Sequence, residues 1–207
     1  MNEYGWMEAA LGRIEQDPLV HRIAVGARPA LACAARQAGL AVAERARTRG
    51  WATAEGALRA EGVAIRESAE DPAAGPFVQH ARYAAPPARV TLLSRTLDAL
   101  DRRLDATGLR GRLHGATVRE IVLAHELFHH LAATTPMPVA VRPAIEILRF
   151  GPWRRWRVVR AAEEIAAAGF AAAWCGVDEA PALLDAVTLE IFPALAPSCR
   201  ESPASSS

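Results

Sequence analysis

Residues 121–131 read IVLAHELFHHL and place His125, Glu126 and His129 in the spacing H-E-x-x-H. On an α-helix, residues four apart differ by about 40° of rotation, so both imidazoles project from one face. That geometry lets His125 and His129 bind a single zinc ion. Glu126, about 100° from His125, stands beside the metal rather than on it. There it can take a proton from a water that the metal acidifies. One helical turn thus supplies two ligands and a general base. The flanking residues Ile121, Val122, Leu123, Ala124, Leu127, Phe128 and Leu131 are apolar nearly all round, which marks a buried helix. Buried His and Glu side chains need partners, and a zinc ion satisfies two histidines at once. The competing reading is a core helix with hydrogen-bonded histidines and a salt-bridged Glu126. His130, about 100° round from His129, reads as a packing or rim residue.

A catalytic zinc site carries three protein ligands and one open position. The extended pattern H-E-x-x-H-x-x-G-x-x-H is absent, because Ala132 and Thr135 occupy its Gly and His positions. The third ligand must come from elsewhere. Residues 160–174, RAAEEIAAAGFAAAW, offer Glu163 and Glu164 on a helix of small residues that can pack closely on the active-site helix. The plainer reading makes them two solvated acids pairing with Arg160.

Composition excludes several other chemistries. All 24 basic residues are Arg and none is Lys. A phosphate-binding loop of the G-x-x-x-x-G-K type, a lysine Schiff base and a protein kinase all need a Lys. The formal net charge of +1 gives no general attraction to nucleic acid or to an anionic membrane. Cys33, Cys175 and Cys199 form no C-x-x-C pair and read as small buried apolar residues. No basic-then-apolar leader and no long uncharged run is legible, so the expectation is a cytoplasmic protein with no membrane or nucleic-acid partner.

The order of elements predicts an α+β fold, mostly helical with a small mixed sheet. Asp17-Pro18 reads as a helix start, and Pro29 opens a helix closed by Gly50. Thr53 or Ala54 begins a short helix ending at Gly62. Short strands are expected at 63–66, 77–83 and 89–93. Ser94 reads as the cap of a helix with Leu97, Leu100 and Leu104. Thr117 and Glu120 have the form of a capping box for a helix running to about Ala133. Further helices are expected at about 156–174 and 180–192. The division is a helical extension (1–28), a main domain (29–196) and a disordered tail (197–207).

The pairing of AHELFHHL with EIAAAGFAAA resembles the ImmA/IrrE group of minimal gluzincin metallopeptidases, over roughly residues 30–175. Their second motif resembles E-x-x-A-N-x-F-A-A, its first Glu being the third zinc ligand. Matching Phe170-Ala171-Ala172 to F-A-A puts Glu164 at the ligand position and Ala167 at the family's Ala. Glu163 falls one residue early and stays as the fallback. The family's Asn or Asp falls on Ala168, and its L-M-P ending is absent. The resemblance implies a zincin-like fold, a Zn2+ cofactor held by His125, His129 and Glu164, and Glu126 as the catalytic base. It implies cleavage of an intracellular protein such as a repressor. For a peptidase, the strand at 89–93 is the expected sheet edge for an extended protein or peptide substrate. The alternative is a catalytically inactive binding module that keeps the fold.

Tyr83, His114 and His80 are the candidate transition-state donors, and nothing in the sequence selects among them. Trp153, Arg154, Arg155, Trp156 and Arg157 form a basic-aromatic cluster. It reads as a surface helix start with packed indoles, or as a contact for an acidic partner or substrate.

Overall fold

Thr117 starts the helix on which the fold turns. Its Oγ1 accepts the Glu120 backbone N–H (3.1 Å), and the helix runs from Val118 to Thr134 (α5). Only half of the capping box forms. The Glu120 carboxylate instead accepts the Ala54 backbone N–H (2.7 Å) and the Trp174 indole N–H (3.0 Å), tying α5 to two other segments. α5 buries Ile121, Leu123, Ala124, Leu127 and Phe128, so the helix forms the centre of the larger core cluster.

The computed structural model describes residues 4–70, 79–151 and 153–192. Around α5 lie α1 (Tyr4–Gln16), α2 (Arg28–Arg47), α3 (Ala54–Ala60), α4 (Ser94–Ala106), α6 (Arg160–Cys175) and α7 (Ala180–Ile191). β1 (Ala64–Ser68), β3 (Arg89–Leu93) and β2 (Ala81–Ala84) make a three-stranded sheet in that order. β1 pairs with β3 in parallel and β2 with β3 antiparallel, so the small mixed sheet and the α+β class are present. β4 (Ala144–Phe150) and β5 (Trp153–Val158) form a separate antiparallel hairpin.

α2 and α6 approach each other backbone to backbone. A Cβ on Gly39 would fall 2.0 Å from the Ala166 carbonyl oxygen, and one on Gly169 would fall 2.9 Å from that of Arg36. The alanines that dominate both helices permit this contact, and α6 also packs on α5.

Several sequence readings need correction. Asp17 opens only a single 3-10 turn, Val20–Arg22, its Oδ1 accepting the Leu19 N–H (2.8 Å). Its Oδ2 accepts the Ala161 backbone N–H (2.8 Å) and so caps α6, 144 positions along the chain. Ser94 does not cap α4 with its side chain; its hydroxyl donates to the Ser68 carbonyl (3.1 Å). β3 is the central strand rather than an edge, because β1 and β2 pair on its two sides. Residues 153–158 are β5, and the helix expected from Trp156 begins at Arg160. Cys33 is exposed rather than buried. Residues 77–78 and the tail at 197–207 lie outside the described residues.

Candidate metal centre

His125 and His129 project from α5 toward α6, where Glu164 meets them. The Nε2 atoms of His125 and His129 are 3.2 Å apart. Glu164 Oε2 is 3.2 Å from His125 Nε2, and Glu164 Oε1 is 3.6 Å from His129 Nε2. All three side chains offer ligand atoms within 4.8 Å of one another. A tetrahedral zinc with bonds of about 2.0–2.2 Å sets its ligand atoms roughly 3.3–3.6 Å apart. The three separations, 3.2, 3.2 and 3.6 Å, lie within about 0.1 Å of that range, and two imidazoles with one carboxylate are a donor set suited to zinc.

Glu163 sits outside this triangle. Its Oε1 is 3.2 Å from Nδ1 of His129, and Arg142 donates to it through Nε (2.9 Å) and a terminal nitrogen (3.0 Å). Glu163 therefore accepts the Nδ1–H of His129 and fixes the tautomer that leaves Nε2 free as a ligand. The two adjacent acids have separate places: Glu164 faces both Nε2 atoms and Glu163 stands behind one ring.

The electrostatics follow the geometry. Burial opposes ionisation of Glu163, but the His129 and Arg142 hydrogen bonds outweigh it and hold the carboxyl down at about 2. Burial likewise opposes ionisation of Glu164, and hydrogen bonds to the two imidazoles hold it well below the usual range. Burial favours a neutral His129, yet its bonds to Glu163 and Glu164 push it well above the ordinary histidine value. Without a metal, a proton on His129 thus neutralises part of the carboxylate charge.

Glu126 is buried and lines the same cleft, about 520 Å³ in volume. Burial raises its carboxyl above the ordinary value, while the imidazoles of His129 and His125 and a hydrogen bond from the Tyr83 backbone N–H pull the other way. β2 supplies that N–H and runs along the cleft, which Gln79, His80, Ala81, Arg82 and Tyr83 help to line.

No family model, curated protein or solved structure gives a significant match to this chain. The site's chemistry must be read from its own side chains.

The other candidates separate cleanly. His130 is buried, with its Nδ1 3.1 Å from the Tyr83 hydroxyl, and takes no part in the cluster. His114 ends the 3-10 turn Leu109–Leu113 and does not line the cleft. His80 does line it. Its Nε2 is 2.8 Å from Thr188 Oγ1, and the Thr188 hydroxyl donates to the Leu184 carbonyl (2.8 Å). His80 must then donate through Nε2–H, leaving Nδ1 an acceptor. Burial outweighs the nearby Asp185 and lowers His80 to about 4, so the ring is neutral. Tyr83 has its hydroxyl engaged by Nδ1 of His130.

Two residues that buttress the cluster carry no local sequence signal. Arg142 orients Glu163 from a Pro-rich loop. Arg13, on α1, pairs with Asp185 and lies 3.4 Å from the Glu164 carbonyl oxygen. Both become visible only through contacts between distant segments.

Proposed function

We propose that this chain is a zinc-dependent peptidase of gluzincin type that cleaves a protein segment bound in extended form. The supporting observation is the triangle of His125, His129 and Glu164, with Glu126 buried beside it in the same cleft. Zinc, when bound by these three side chains, supplies a Lewis acid that polarises a carbonyl oxygen and acidifies water.

The chain's own residues account for the remaining work. Glu126 takes up the proton of the attacking water and returns it to the leaving amine nitrogen. Its raised affinity for a proton suits that uptake. Glu163, clamped by Arg142, sets the His129 ring. Among the described residues β2 pairs with β3 alone, and its other side offers backbone groups to an extended peptide lying in the cleft. The edge role expected of β3 therefore falls to β2.

The test is cleavage of a fluorogenic peptide library by the zinc-loaded protein, read by fluorescence and mass spectrometry. Glu126→Gln should retain the metal and lose about 10²–10⁴-fold in rate, as expected for removal of a general base. Cleavage at the wild-type rate by Glu126→Gln, or no cleavage by the zinc-loaded wild type, would overturn the reading.

A further inference from the structure

The β4–β5 hairpin spends no apolar surface on the core at its outer end. Phe150 and Trp153 are cross-strand partners beside the turn and are 79% and 77% exposed. Leu148, two residues behind Phe150 on the same face, is 59% exposed. At the other end the ribbon is anchored: the Val159 N–H donates to the Pro143 carbonyl (3.0 Å), and Ile145 packs on the smaller core cluster. A two-stranded ribbon gains little from exposing large aromatics, and clustered exposed apolar groups mark a docking surface.

Cations follow directly behind the tip. Arg149 pairs with Arg154 one position back, Arg155 lies opposite Leu148, and Arg157 lies opposite Ile145 nearer the base. Residues 144–158 carry these four arginines and one acid, Glu146, which is 3.8 Å from Arg154. Among the described residues, Arg149, Arg155 and Arg157 have no ion-pair partner. At about 3.4 Å per residue, the first two levels of guanidinium stand roughly 3 and 7 Å behind the aromatic pair. Apolar groups of interfacial anchors sink about 5–10 Å into the boundary between headgroups and acyl chains. Long arginine side chains reach back to the headgroup level from such a depth.

We propose that the hairpin tip, Leu148, Phe150 and Trp153, inserts into an anionic lipid surface, with Arg149, Arg154 and Arg155 as the collar that meets the headgroups. Trp favours that interface, Phe and Leu belong to the inserted face of interfacial anchors, and each arginine near an anionic surface adds roughly fivefold to partitioning. The chain's near-neutral total charge does not oppose this, because the attraction is local to the arm. A single-stranded nucleic acid would need rings in succession along a groove. Here two rings share one level at the end of the arm, and the register puts Trp156 on the opposite face. The inference stands independently of peptide cleavage.

The experiment is flotation of the full chain with vesicles of phosphatidylcholine alone, or with about one third phosphatidylserine, at about 0.1 M salt. Binding is expected to the anionic vesicles only and should weaken as salt rises. Phe150→Ser with Trp153→Ser should reduce it at least about tenfold, and Arg149→Ala with Arg155→Ala should reduce it comparably. These positions are exposed, and circular dichroism confirms that the variants fold. Quenching of tryptophan fluorescence by brominated lipid should fall in Trp153→Phe while binding persists, which separates insertion from surface adhesion. The proposal fails if anionic vesicles are not bound, or if binding survives the double serine variant. It also fails if the same residues serve only a single-stranded oligonucleotide or a second copy of the chain.

Discussion

Glu163 Oε1 stands 3.2 Å from Nδ1 of His129, while the other nitrogen of that ring lies 3.2 Å from its counterpart on His125. The outer of two adjacent carboxylates therefore positions a ligand, and the inner one, Glu164, completes the cluster. Glu163→Gln should weaken zinc affinity by about 10–100-fold, the usual cost of losing an orienting partner. Glu164→Gln removes a direct ligand and should cost more. Competition with a chromophoric chelator measures both. Equal losses in the two variants would show that the roles are not divided in this way.

The same division makes Arg142 a positioning residue. Arg142→Ala leaves every ligand in place but frees Glu163 from its clamp. Zinc affinity should fall by less than in Glu163→Gln, while the melting temperature of the metal-free protein should change little. An Arg142→Ala affinity as low as that of Glu164→Gln would contradict the assignment.

Close packing of α2 on α6 yields a stability prediction. Gly39→Ala forces a Cβ to within 2.0 Å of the Ala166 carbonyl oxygen and should destabilise the fold by about 3 kcal/mol. Gly169→Ala meets the Arg36 carbonyl at 2.9 Å and should cost less. Gly12→Ala, in α1 with open space around its Cα, should stabilise by about 0.5–1 kcal/mol. Urea unfolding of the three variants tests the order, and a neutral Gly39→Ala would refute the close approach.

His80 predicts a pH dependence of stability. Its pKa is lowered from 6.5 to about 4 in the folded chain, so the unfolded chain binds more protons between those values. The contribution of neutral His80 is fully present above about pH 6.5 and is lost as pH falls toward 4. The change from 6.5 to about 4 bounds the loss at about 3 kcal/mol. His80→Gln should flatten this part of the stability curve. An unchanged slope in the variant would assign it to other groups.

Much of the site was legible in the sequence because one helix carries it. The H-E-x-x-H spacing and the Thr117 cap are local features, and both hold in α5. Glu163 and Glu164 could not be separated in that way. Neighbours on a helix differ by about 100°, and which one faces α5 depends on how α6 is rotated against it. That rotation follows from packing on α2 at Gly39 and Gly169 and from capping by Asp17, all far away in sequence. The run 153–158 departs from its expected helix for a related reason: WRRWRV has no period-two alternation, and its strand exists because β4 pairs with it. The central place of β3 is likewise a matter of strand order, which local pattern does not encode.

On the proposed reading, His125, His129 and Glu164 together hold one zinc ion. The most direct test is the zinc content of the purified chain, dialysed against zinc and then freed of excess, measured by inductively coupled plasma mass spectrometry. About one zinc per chain is expected, lost in His125→Ala, His129→Ala and Glu164→Ala and retained in Glu126→Gln. A wild-type chain that binds no zinc, or zinc retained in full by Glu164→Ala, would contradict it.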